Sequence, residues 1–140
     1  MSVEKKYELT DETIEIDGHI LRRIRALRGF GDVKKGDLGG FIQFERNLSH
    51  EGNCWVSDDA CVYILAQVYE NAEVHDDAKV FYGARVYGKS RIYHNAQVYD
   101  RADVFGNADV FGNAEVLGRS KVFGNAEVCG DAKVDDCAHV

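Results

Sequence analysis

Residues 96–128 read AQVYDRADVFGNADVFGNAEVLGRSKVFGNAEV. Valine falls on every sixth position, at Val98, Val104, Val110, Val116, Val122 and Val128. A small residue stands two places before each, at Ala96, Ala102, Ala108, Ala114, Ser120 and Ala126. The register extends outward from Val56 to Val140 without insertion, with Ile92 the one change at the large position. A period of six matches neither a helix at 3.6 nor an ordinary alternating strand; it specifies a solenoid of very short strands. The hexad consensus is Ala-x-Val-aromatic-Gly-Asn/Asp. Its Ala and Val are two apart, so both point inward from one strand. Gly, Asn and Asp tolerate the positive φ that a corner needs. Proline is absent from the chain, consistent with a backbone whose donors are used in every coil.

Residues 1–50 lack this register and read as an N-terminal β cap on a solenoid of residues 51–140. Tyr7–Leu9 suggests a short strand. Thr13–Ile16, Asp17-Gly18 and His19–Leu21 spell a β-hairpin with a favoured two-residue turn. Continued, the second strand would carry Ile20, Arg22 and Ile24 on one face. Gly29, Gly31, Gly36, Gly39 and Gly40 mark a loop, and Phe41–Phe44 a strand leading into the repeat. The cap would cover strand edges that otherwise invite aggregation.

Composition narrows the function classes. The chain has 140 residues, enough for one modest core, and a net charge of -7. Residues 1–50 hold nine basic and nine acidic residues, and residues 51–140 eight and fifteen. An acidic repeat argues against gripping duplex nucleic acid. No apolar run reaches the ~20 residues of a membrane span. The charged start MSVEKKYELTDET does not resemble a secretory signal. Cys54, Cys61, Cys129 and Cys137 show no CxxC spacing and read as free thiols in a reducing, cytoplasmic setting.

The repeat resembles the bacterial hexapeptide-repeat superfamily over about residues 54–140. The resemblance implies a left-handed parallel β-helix, all-β, with three hexads per triangular coil and four to five coils. It also implies a homotrimer packed side by side. The segments RIRALRGFGDVKKGDLGGFI (residues 23–42, from Arg23) and NLSHEGNCWV (residues 47–56) resemble uncharacterised members found in bacterial and phage genomes. That similarity implies a phage-encoded role, such as sequestering a host signal or blocking a host protein.

With 18 residues per coil, sequence becomes surface. Tyr69, Tyr87, Phe105 and Phe123 form one aromatic column, and Tyr63, Phe81 and Tyr99 begin another. Outward aromatics in such number suit an oligomer interface, or simply stack to stabilise neighbouring coils. Glu73, Arg91 and Asp109 share a column, as do Arg85, Asp103 and Lys121; alternating signs favour adjacent coils. Arg101 and Arg119 break this pattern, one above the other beyond Gly83. Like charges at that spacing call for a carboxylate or an anion between them.

Asp58, Asp76 and His94, with His75 adjacent, are residue types that can bind a divalent metal, although corner Asp residues are expected for turn geometry alone; no metal and no cofactor is expected. Many family members are acyl-CoA-dependent acyltransferases using a His base. This repeat has no inserted loop to build an acceptor pocket, and none of its histidines matches that motif, so no catalytic residue is assigned. Cys54, at a small inward position, reads as core. The favoured expectation is a non-catalytic trimer that recognises a small anionic, nucleotide-like ligand or a host protein. Subunit clefts would supply Arg101 and Arg119 as anion contacts and Tyr69, Tyr87 and Tyr99 as stacking faces. Tyr69, Tyr87, Phe105 and Phe123 would form the interface. The Arg-rich hairpin (Arg22, Arg23, Arg25, Arg28) with Lys34 and Lys35 is a second anionic contact zone. An acyltransferase and a structural assembly module, with trimers stacked end to end through the last coil, are the alternatives.

Overall fold

The computed structural model describes residues 4–140. Three longer strands come first: β1 (Tyr7–Ile16), β2 (His19–Ala26) and β3 (Leu38–Ile42). Two-residue strands then recur every six residues, from β4 (Trp55–Val56) to β17 (Lys133–Val134). Each pairs in parallel with the strand 18 residues away; Arg91, for example, faces Glu73 on one side and Asp109 on the other. The short strands form three parallel sheets around one core. The fold is an all-β parallel β-solenoid of about five turns, with a β-hairpin cap.

The hexad explains the geometry residue by residue. The inward Ala and Val side chains from Ala60 to Val122 are fully or almost fully buried. Ser90 and Ser120 take the small position without penalty because their hydroxyls donate to the carbonyls of Tyr87 (2.8 Å) and Leu117 (2.7 Å). Every sixth residue from Gly52 to Asp136 has positive φ, which turns each corner. Backbone N–H groups donate to the next coil, as from Phe105 to the Val122 carbonyl at 2.9 Å.

Where the residue after an inward Val or Ile is aromatic or His, it stacks on its ring-bearing equivalent in the next coil. Tyr69 on Tyr87, Tyr87 on Phe105 and Phe105 on Phe123 lie 4.8, 5.0 and 5.4 Å apart, within 11° of parallel. The coil rise therefore sets the stacking distance. Beside them each charge ladder closes at one step: Arg85 binds Asp103 through two contacts (2.9 and 3.1 Å) and Arg91 binds Asp109 likewise (3.0 and 3.1 Å), whereas among the described residues Lys121 and Glu73 form no ion pair.

The cap is continuous with the solenoid. β1 and β2 join through Asp17 (φ 51°) and Gly18 (φ 83°), the left-handed pair that an Asp-Gly hairpin turn requires. β2 pairs with β3, and β3 pairs in parallel with Cys61–Val62, so cap and one solenoid face share an eight-stranded sheet. The expected face of Ile20 and Ile24 is broken. A register shift between Arg23 and Arg25 buries both Leu21 and Ile24 and leaves Ile20 exposed; a bulge reverses the alternation. Lys6 is fully buried, its Nζ donating to the Cys54 carbonyl at 2.7 Å. No helix of the described residues is long and apolar enough to cross a membrane.

Candidate functional site

One corner of the triangle departs from the hexad rule. At the other two corners the positive-φ residue is mostly Gly or Asp, followed by Asn, Asp or Lys. At the corner after the Cys61, Lys79, Gln97 and Glu115 strands, the sequence is Ile64-Leu65, Tyr82-Gly83, Asp100-Arg101 and Gly118-Arg119. These eight residues line a groove of about 450 Å³ running along the solenoid axis.

Two of its corner residues sit in a backbone region that bulky side chains avoid: Ile64 at φ 62° and Tyr82 at φ 56°. Such strain persists only where surroundings over-determine it. At Ile64 the cap provides this. The Ile64 N–H donates to Gln43 Oε1 at 2.8 Å, and its carbonyl accepts from Asn47 Nδ2 at 3.2 Å. Asn47 is itself fully buried, and its Oδ1 accepts from the backbone N–H groups of Gln43 and Phe44. Leu65 and Tyr82 are 60% and 50% exposed, large apolar surfaces beside two cations. Gly83 carries no side chain between Leu65 and Arg101, which keeps the groove open.

Arg101 and Arg119 both line this groove, one coil apart, and both are exposed. Among the described residues neither makes an ion pair, whereas Arg22, Arg23, Arg25, Arg85 and Arg91 all do. The groove's one carboxylate, Asp100, is engaged with the backbone, accepting the Gly118 N–H at 3.0 Å. The groove is a local positive site on an acidic repeat.

The other anticipated residues are distributed differently. Tyr99 stacks on Phe81 (4.8 Å) and approaches Tyr82 edge-on at 6.5 Å. Its hydroxyl donates to Glu115 (2.8 Å); burial and that bond push its pKa up to about 12. Tyr69 and Tyr87 stand after the strands of a different face, away from Arg101 and Arg119 within one chain. Three of the four cap arginines pair with carboxylates, Arg25 with Glu8, Arg23 with Glu12 and Asp59, and Arg22 with Asp11 at 3.8 Å, while Arg28 donates to the His50 carbonyl at 3.2 Å.

Among the acidic candidates, Asp58, His75 and Asp76 bring ligand atoms within 4.8 Å of one another and are the group that could hold a metal. His94 is turned to another task, its Nδ1 accepting the Gly112 N–H at 3.2 Å. Asp58 and Asp76 also each accept a backbone N–H from the next coil, at 3.2 and 3.1 Å. The His94 N–H bond holds the Asp76 carboxyl below the usual carboxylate range. Cys54 lies 3.3 Å from Lys6 Nζ, and burial pushes its thiol up rather than activating it.

Of the groove-lining residues, Arg101, Arg119 and Gly83 stand out in the sequence and Ile64, Leu65, Tyr82 and Asp100 do not. The available signal was the repeated loss of Gly followed by Asn or Asp at one corner. Among known proteins, the chain is similar to the uncharacterized acetyltransferase YdcK of Escherichia coli (strain K12), 38% identical over 66 residues. The match takes in 41% of this chain and 20% of the relative, so the chain covers about a fifth of that protein's length. No family model matches the chain.

Proposed function

We propose that this chain is a binding protein for a small phosphorylated, nucleotide-like ligand, held in the corner groove. The observation that carries the reading is the pair Arg101 and Arg119: two guanidinium groups one coil apart, without an ion pair among the described residues, in the same groove as exposed Leu65 and Tyr82. A guanidinium pair suits phosphate oxygens. Tyr82 and Leu65 suit the face of a planar ring. The strained corners Ile64 and Tyr82 hold those surfaces outward at a site where glycine would be easier to accommodate. A side-by-side homotrimer belongs to this reading, with the Tyr69–Tyr87–Phe105–Phe123 ladder as its interface and as the second wall of the cleft.

Calorimetric titration with ADP tests it. Saturable binding is expected, with adenosine and pyrophosphate each binding more weakly. Arg101→Glu with Arg119→Glu should weaken ADP at least ~100-fold, two charge-assisted contacts being lost. Absence of binding, or equal binding by the double variant, would refute the reading.

The second reading is acyl transfer from acetyl-CoA, favoured by the similarity to the E. coli protein. It needs a general base. His75, with Nδ1 3.5 Å from Asp76, is an arrangement within the repeat that resembles one. Release of free CoA in the presence of amine acceptors, lost in His75→Ala, would decide for it.

A further inference from the structure

A second cavity, of about 400 Å³, lies between the loop joining β2 to β3 and the first two coils. It is separate from the corner groove and shares no lining residue with it. Its walls are unlike those of the groove. Asp32 comes from the cap loop and Glu73 from a solenoid strand. His75, Asn53 and Asn71 add polar groups, and Trp55 supplies apolar surface. Neither Lys nor Arg lines it.

Neither carboxylate is held in an ion pair among the described residues, although Glu73 still acts at longer range on Arg91. Glu73 pairs in register with Arg91, but Arg91 turns its guanidinium to Asp109. Among the described residues neither Glu73 nor Asp32 forms an ion pair or a side-chain hydrogen bond. The cavity is also built in advance. Phe30 and Val33 close the loop through two reciprocal backbone bonds (3.0 and 2.7 Å), with Gly31 at φ 49° making the turn. Phe30 packs edge-on against Trp55 at 5.2 Å. The loop tip rests on the coil: a Cβ on Gly31 would touch Asn53 at 3.7 Å. Asp32 is therefore held on one wall while Glu73 is fixed on the other by its strand.

We infer that this cap cleft is a second binding site, for a compact organic amine. Two unpaired carboxylates on opposing walls favour a cation. The cavity is far larger than a bare ion and sits at the lower end of the range for small-molecule pockets. The Asn53 amide offers an acceptor oxygen for an ammonium N–H, while the Asn71 Oδ1 already accepts the Asn53 backbone N–H at 3.2 Å and has one acceptor position left, and Trp55 covers an aliphatic stem. Both carboxylates are exposed, so binding is salt-sensitive.

Putrescine is the probe, titrated at low ionic strength and followed by calorimetry and by tryptophan emission. Trp55 is the one tryptophan of the chain, so its emission reports on this cavity. Saturable binding is expected, weakened at least ~10-fold in Asp32→Asn with Glu73→Gln and unchanged in Arg101→Glu with Arg119→Glu. The substituted carboxylates are exposed, and thermal melting of the variant is expected to match the wild type. No saturable binding, equal binding by the carboxylate variant, or equal binding of neutral 1-butanol would each overturn the inference. Because ADP binding is read with a different variant pair, either site can fail without the other.

Discussion

Ile64 and Tyr82 hold left-handed backbone where the hexad rule expects glycine, at a cost of about 1–2 kcal/mol each. At Tyr82 the side chain is half exposed, so its packing on Phe81 and Tyr99 offsets little of that cost. Tyr82→Gly should therefore leave the melting temperature unchanged or raise it, while ADP affinity falls. A marked loss of stability would show that the tyrosine is there for packing. Asn47 acts in the opposite sense. It is fully buried and makes four hydrogen bonds, to Gln43, Phe44, Ile64 and Ala66. Asn47→Ala should cost about 2–4 kcal/mol in denaturant unfolding, because buried backbone groups lose their partners. Arg101 and Arg119 were legible in the sequence because like charges on adjacent coils conflict. Ile64 and Tyr82 were not, since their meaning lies in a dihedral angle rather than in a charge.

At the scale of a strand and its corner, stability depends on what the next coil places above. Gly106 and Gly124 have nearly equal φ, 69° and 64°. A Cβ on Gly106 would meet the Gly124 nitrogen at 2.8 Å, whereas a Cβ on Gly124 meets nothing within 4 Å. Gly124→Ala should cost about 1–2 kcal/mol from backbone strain. Gly106→Ala should cost ~1–3 kcal/mol more, from the clash. Urea midpoints of the two variants check the order.

Cys61, at the start of a short strand beside the cap, gives a pH prediction. Burial pushes its thiol up to about 11, and burial likewise pushes Tyr63 up to about 12. Both groups hold protons in the folded chain that the unfolded chain has released. Their contribution is full below the unfolded values, near 9 and 10, and is lost as pH rises through the folded ones. Lys6, held below its usual value by burial, works in the opposite direction and is the same in both proteins compared. Wild type should therefore lose more stability between pH 8 and 10.5 than Cys61→Ala does. An identical drop would contradict this. The hexad strands were readable position by position because each is two residues fixed by one period. The bulge between Arg23 and Arg25 was not, because a register shift depends on the partner strand.

For the whole molecule, the unbroken register from Val56 onward fixes coil count, sheet number and core. It also places the 18-residue columns along which the Arg85–Asp103 and Arg91–Asp109 pairs form. The cap was legible as a hairpin. Its further work was hidden, because Lys6, Gln43 and Asn47 look like ordinary polar residues until the first coil closes over them. The same limit applied to the cleft, whose two walls are about forty residues apart in sequence. The proposed anion site is the positive corner of an acidic body, and the proposed trimer would place a second wall against it. Native mass spectrometry with ADP, on wild type and on Arg101→Glu with Arg119→Glu, tests this most directly. The prediction is a trimer carrying one ADP per chain in the wild type and a bare trimer in the variant. Equal ADP occupancy in both, or none in the wild type, would contradict it.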